Sequence, residues 1–262
     1  MNKIRLFLTP LCLLAYSAAA QLTILGADAY GRANSLVAVP CYSSIYQNPA
    51  GIGGEASGFL AFNFLKTVPV EGFHTTGVQG VFRTEHFNYG FSVDSFGDNH
   101  YRESRAGLAL ARKQERVSVG MKVSGIGMHA AGMGSLKTLV GEVGMVVTPA
   151  PQVSLGLSLS HFTLAGFQPV RLSLGAAVRP EAKVHLSGQL DYPVGGRAEV
   201  RLGLHYQLRK QLGFSAGIDP ALRRVHFGTN VLAGRYGFLY GVATHPYVGI
   251  AHHTTFIYQL HD

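Results

Sequence analysis

The chain has 262 residues, 47% of them hydrophobic and only 14% charged, with 33 glycines, no tryptophan and a formal net charge of +8. A soluble domain carries about a quarter of its residues charged, so this chain is short of charge, and it is too rich in apolar surface to be intrinsically disordered. Its Lys and Arg residues are scattered along the sequence rather than clustered, which argues against nucleic acid as a partner.

The first stretch, "MNKIRLFLTPLCLLAYSAAAQ", places Lys3 and Arg5 ahead of an apolar run from Leu6 to Tyr16, then Ala18, Ala19 and Ala20 before Gln21. A basic head, an apolar middle and a small-residue cleavage site predict a secretory signal peptide over residues 1–20. After its removal Cys41 is the one remaining cysteine, so no internal disulfide is available. Residues 21–57 do not alternate. They are rich in Gly, Ala and Ser, with a helix-compatible stretch near Ala29 to Val37 and a turn at Asn48-Pro49. Such a segment either plugs the space inside a barrel or trails as a periplasmic tail.

From residue 58 onward the pattern has a period of two. In "VSLGLSLSHF", Val153, Leu155, Leu157 and Leu159 share one face, and Ser154, Gly156, Ser158 and Ser160 the other. "RVSVGMKVS", "VRLSLGAAVR", "KVHLSGQLD" and "EVRLGLHYQ" repeat it. The spacing predicts strands near 58–67, 75–84, 86–95, 103–112, 116–126, 137–148, 153–162, 169–179, 182–191, 198–208, 211–219, 223–232, 235–244 and 249–260. That is about fourteen, an even number, with most repeats about nine to eleven residues long, as a tilted membrane-crossing strand requires. Alternate connections are tight (Lys113-Gln114-Glu115, Ala150-Pro151-Gln152, Pro180-Glu181, Arg209-Lys210, Ala233-Gly234) and the others longer, among them 96–102, 127–136, 163–169 and 192–197. Short turns on one rim and long loops on the other mark an outer-membrane barrel. The fold expected is therefore all-β: a transmembrane antiparallel up-and-down β-barrel over residues 58–262, preceded by a plug-like segment. Its oily face meets outer-membrane lipid. Tyr206, Tyr236, Phe238, Tyr240, Phe256 and Tyr258 are candidates for the interfacial aromatic girdle.

The opposite face carries the charge. Glu103, Arg105, Lys122, Glu142, Arg171, Arg179, Lys183, His185, Glu199, Arg201, His205 and His226 are expected to line the lumen. Charges of both signs on a low-dielectric wall tend to pair, so these residues either close the lumen with ion pairs or leave a polar path whose basic excess suits anionic or amphipathic solutes. His252 and His253 are neighbours on a strand and face opposite ways, so they do not chelate one ion. No Gly-x-Ser-x-Gly elbow is present. The glycine-rich "GIGMHAAGMG" (125–134) lacks the Lys-Ser/Thr ending and following helix of a phosphate loop, and is read as a plain loop. No catalytic, cofactor-binding or metal-binding residues are assigned.

"GADAYGRANSLVAV…SSIYQNPAGIG" resembles the N-terminal signature of the FadL/PorV-like outer-membrane barrels, where a Gly-Ala-rich segment leads into an Asn-Pro-Ala-Gly turn, here Asn48, Pro49, Ala50 and Gly51. "FGDNHYRESRAGLALARKQERVSVGMKV" (96–123) is similar to the third-to-fifth strand region of PorV/PorQ-type proteins of Bacteroidetes-like bacteria. The resemblance implies a fourteen-stranded barrel whose N-terminal segment enters the lumen, with Asn48 to Gly51 as plug or gate. The chain departs from the larger transporters of that family in its brief outer loops and in ending on Gln259 to Asp262 rather than on an aromatic residue. The functional expectation is a non-catalytic accessory or scaffold barrel of PorV/PorQ type in the outer membrane of a Gram-negative bacterium, with type IX secretion components or exported cargo as partners. The alternative is a FadL-like passive channel for a hydrophobic or amphipathic solute. An outer-membrane lipid hydrolase is a third, distant reading.

Overall fold

The computed structural model describes residues 26–55, 57–67, 72–132, 134–163, 169–245 and 249–260. The expected signal peptide lies outside the described residues.

The described residues open with two single-turn helices, α1 (Ala27–Tyr30) and α2 (Ser44–Gln47), and a 3-10 turn, Pro49–Gly54. Fourteen strands follow: β1 (Phe59–Lys66), β2 (Thr75–Arg83), β3 (Asn88–Gly97), β4 (Tyr101–Gln114), β5 (Val117–Ala130), β6 (Gly134–Ala150), β7 (Val153–Thr163), β8 (Arg171–Glu181), β9 (Val184–Pro193), β10 (Glu199–Arg209), β11 (Leu212–Asp219), β12 (Arg224–Ala233), β13 (Tyr236–His245) and β14 (Gly249–Gln259). Each pairs with its sequence neighbours, and β1 closes on β14 with Phe59 opposite Gln259 and Lys66 opposite His252. Closure leaves no unpaired sheet edge, the condition for an all-β structure to cross hydrocarbon.

The molecule is built inside out. Leu108 is 73% exposed, Tyr236 69% and Leu139 63%, while Lys122, Glu103, His253 and Gln79 are among its largest fully buried side chains. Dozens of outward Val, Leu, Phe and Tyr residues form a continuous apolar exterior, far beyond the few hundred Å² of apolar patch that a soluble monomer tolerates. The aromatic candidates follow this division: Tyr206, Tyr236, Phe238, Phe256 and Tyr258 are exposed on the outer surface, and Tyr240 is half-buried. Tyr236 packs on Tyr258 and Phe238 on Phe256 across the β13–β14 pair, near one rim.

That rim carries turns at 115–116, 151–152, 182–183, 210–211 and 234–235, whereas the other carries most of the longer connections. The expected asymmetry is present with two corrections. Residues 127–136 are mostly strand: β5 runs to Ala130 and β6 starts at Gly134. Likewise β4 starts at Tyr101, leaving 98–100 as the turn. The reason is local. Glycines at 125, 127 and 134 hide the alternation from a reading based on apolar side chains, but they keep their backbone hydrogen bonds in the ladder. β4, β5 and β6, with 14, 14 and 17 residues, are consequently the longest strands.

Candidate functional site

Residues 26–55 of the N-terminal segment lie within the barrel. Ala27, Ala29, Leu36, Val37, Ala38, Ile45, Ala50 and Ile52 are all buried to 1% exposure or less. Of the helix-compatible stretch near Ala29 to Val37, only Ala29 and Tyr30 at the end of α1 are helical, because Ala33 and Asn34 adopt positive φ (53° and 56°), where a right-handed helix does not continue.

Glycines let it approach. Four cross-strand pairs, Gly120–Gly144, Gly156–Gly175, Gly203–Gly217 and Gly228–Gly241, face the lumen. A Cβ at Gly120 would fall 2.5 Å from the backbone of Pro49 and Ala50, and one at Gly217 2.6 Å from Arg32 and Ala33. At Gly144 it would overlap the side-chain amide of Asn48. These positions have to be bare for segment backbone to reach wall backbone.

Asn48 is the pivot of the contact. Its Oδ1 accepts from the Ala50 amide at 3.0 Å, which caps the 3-10 turn, with Pro49 in the first position. Its Nδ2 donates to the Val37 carbonyl at 2.8 Å and lies 3.2 and 3.3 Å from the carbonyls of Leu157 on β7 and Met145 on β6. Ala50 follows, its carbonyl accepting from Ser118 on β5 at 2.6 Å, while Ile52 accepts from Asn88 on β3 at 2.6 Å. Gly51 is buried, and its amide donates to the Asn48 carbonyl.

Two ionic networks fasten the segment to one side of the wall. In the first, Tyr46 donates to Asp94 at 2.5 Å, and Asp94 pairs with Arg105 at 3.0 Å. The Lys122 ammonium donates to the Ile45 carbonyl at 2.9 Å and stands 3.7 Å from Glu142. Arg105 and Lys122 both lie over the Tyr46 ring, 5.1 and 5.0 Å from its centre. In the second, the Val37 amide donates to Gln189, whose own amide donates to Asp191. Arg201 then binds Asp191 at 2.8 Å, Glu199 at 2.9 Å and Asp219 at 3.2 Å. One guanidinium answering three carboxylates is a strong arrangement for this residue type, whose donors form a fixed fork.

Of the residues expected at the lumen, Glu103, Arg105, Lys122, Glu142, Arg201, His205 and His226 are buried there. Glu103 accepts from Tyr101, and His226 donates to the Tyr30 carbonyl at 2.8 Å. Arg171 is half-buried at the first position of β8, and Glu199 is partly exposed on Arg201. Arg179 is exposed at the short-turn rim, where it and His185, His205, Arg32, Asp28 and Glu55 border a cavity of about 270 Å³. Burial first, and then the neighbouring Asp28 charge, push the Glu55 carboxyl up to about 8. Lys183 is a correction: it lies in the exposed turn before β9, where water solvates its charge, and not on the lumen wall. His252 and His253 separate as expected, His252 outside against the Tyr240 hydroxyl and His253 fully buried, accepting from the Gly26 amide.

Sequence reasoning placed Asp191 on the polar face of its strand but did not single out Asp94, Asp191 or Asp219 as lumen residues, although these carboxylates complete both networks. Each stands at an inward position inside its expected strand, so the alternation already carries the signal that finds them. It also missed the pairing of the glycines, which depends on register.

The other side of the wall is different. The inward residues of β13, β14, β1 and β2 (Leu239, Ala243, Ala251, Ile257, Phe59, Ala61, Leu65, Val81, with uncharged Asn63, Thr75, Gln79, His253 and Thr255) include no Asp, Glu, Lys or Arg between Gly237 and Ala243, Ala251 and Ile257, Phe59 and Leu65, or Thr75 and Val81. Tyr30 of the segment stands edge-on to His253 of this arc, and the Ala27 amide donates to Thr255 at 2.9 Å; Ile45 and Ile52 share the apolar cluster that runs from the arc to Ala109 and Ala111 of β4. The lumen thus has a charged half and an uncharged, largely aliphatic half.

No protein-family model matches the sequence, and no curated protein matches it. Solved structures do match in fold. The toluene transporter TbuX of Ralstonia pickettii superposes with a TM-score of 0.72 at 10% identity, over 90% of this chain and 98% of that one. The CymD monoaromatic hydrocarbon channel gives 0.71 at 13% identity, over 91% and 98%. A Pseudomonas aeruginosa FadL homologue gives 0.59 at 12% identity, over 92% and 99%. The chain is similar to these in architecture: a closed fourteen-stranded antiparallel barrel.

Proposed function

We propose that the chain is a passive conduit of the Gram-negative outer membrane for hydrophobic or amphipathic small molecules, with the segment around Asn48 to Gly51 as its gate. The observation that carries this reading is the uncharged arc of the lumen wall, β13–β14–β1–β2, facing a segment fastened chiefly to the opposite, charged half. Withdrawing the apolar face of the segment opens a path along aliphatic side chains, while the ion pairs stay among themselves. An apolar solute loses nothing on such a wall, whereas an ion forgoes its hydration. The solutes named for TbuX and CymD, toluene and monoaromatic hydrocarbons, are of the class such an arc suits. The PorV/PorQ reading, with type IX secretion components or cargo as partners, draws no support from these likenesses and yields to its alternative.

The test is uptake of an uncharged aromatic hydrocarbon into vesicles carrying the barrel. Deleting residues 21–57 raises the uptake rate. Equal rates with and without the segment remove the gate, and no uptake by either form removes the conduit.

A further inference from the structure

On the outside of the barrel, β4, β5 and β6 form a groove of about 680 Å³, within the roughly 300–1,000 Å³ typical of small-molecule sites. Its floor is two rungs of the ladder: Ala106, Gly125 and Leu139 side by side, then Ser104, Gly127 and Lys137. A Cβ at Gly125 would meet only Leu139, at 3.9 Å, and one at Gly127 would meet nothing within 4 Å. Along β5 the floor is therefore bare backbone, flanked by the exposed side chains of Val93 and Leu139. The next rung toward the long-loop rim is Arg102, His129 and Ser135. Arg102, His129 and Lys137 are all exposed on this outer face. The outward positions of β4, β5 and β6 carry no acidic residue, since Glu103 and Glu142 face the lumen. Asp98, in the adjoining turn, spends its carboxylate on the amides of His100 and Tyr101 at 2.8 and 2.9 Å. Long loops mark the extracellular rim, so the apolar groove lies in the outer half of the wall with three basic groups at its mouth.

We propose that this groove binds a phosphate-bearing anionic lipid of the outer leaflet, one acyl chain lying over Gly125 and Gly127 and the phosphate meeting Lys137, His129 and Arg102. The chain of a zwitterionic lipid fits the floor equally well, so charge is what discriminates. The inference needs the barrel to stand in a bilayer, as the conduit reading does, but it needs neither gate nor solute.

The sequence contains no tryptophan, so Val93→Trp at the groove wall is a sole fluorescent reporter. The full mature chain is reconstituted in phosphatidylcholine vesicles, and its emission is quenched with brominated-chain phosphatidylglycerol or brominated-chain phosphatidylcholine. The anionic lipid is expected to be preferred, with about a fivefold loss of preference for each of Lys137→Gln and Arg102→Gln, the scale of one basic side chain near an anionic surface. Arg235→Gln, in a turn on the opposite rim, leaves the preference unchanged, and Gly127→Leu lowers quenching by both lipids by filling the floor. Equal quenching by the two lipids, or a preference that survives the Lys137→Gln/Arg102→Gln pair, overturns the proposal while leaving the conduit reading intact. Failure of the chain to insert into vesicles overturns both.

Discussion

Replacing Asn48 by alanine measures how firmly the N-terminal segment is docked. The substitution removes the cap on the Ala50 amide, worth about 1 kcal/mol. It also removes the donor that serves Val37 and approaches Met145 and Leu157, worth about 1 kcal/mol net for the bond best made. The loss is about 2 kcal/mol in the docked state, or about a 30-fold rise in the undocked population. Cys41 provides the assay. It is buried, and it is the one thiol of a chain that begins at residue 21. Burial, with the Asp28 and Glu55 charges adding to it, pushes that thiol well above its ordinary value, so a maleimide reacts with it through the undocked state. When docking is fast relative to labelling, the rate follows the undocked population. Asn48→Ala should therefore label about 30-fold faster with the strand signal in circular dichroism unchanged. An unchanged labelling rate would refute the idea that Asn48 fastens the segment to β6 and β7.

Three further outcomes are expected. Gly144→Ala places a methyl group in the space of the Asn48 amide; the barrel should still fold, while protease cleaves the N-terminal segment faster than in the parent. Arg201→Met strands Asp191, Glu199 and Asp219 without their cation; loss of a buried partner of this kind costs about 3–5 kcal/mol, read as a lower unfolding free energy in urea. Glu55, with its carboxyl pushed up to about 8, holds its proton more tightly docked than undocked. Docking is then unaffected below the ordinary carboxyl range and weakens as pH rises through it toward 8. Protease sensitivity of the segment should climb over that window in the parent and stay flatter in Glu55→Gln.

The bare rungs of the wall show what could be read early and what could not. Gly156 and Gly175 stood out as members of the polar face in "VSLGLSLSHF" and "VRLSLGAAVR", but only the register sets them side by side and turns Val37 and Ala38 against them. Arg201 was legible as an inward charge. Glu199 lies two residues away on the same face of β10, but Asp191 and Asp219 became its partners only when β9, β10 and β11 were aligned. Lys183 was misplaced because alternation says nothing about where a strand ends and its turn begins.

By itself the sequence determined that this chain forms some fourteen strands with one oily and one polar face, joined by short turns on one rim and mostly longer connections on the other. Side-chain direction in a strand repeats every two residues, so it is a local property, legible wherever apolar and polar residues alternate. Only the tertiary structure decided that Phe59 meets Gln259, that residues 26–55 fill the lumen, and that the wall is charged on one side and uncharged on the other. Those outcomes depend on register and closure between residues as much as two hundred positions apart, and no local pattern encodes which strand faces which across a closed barrel.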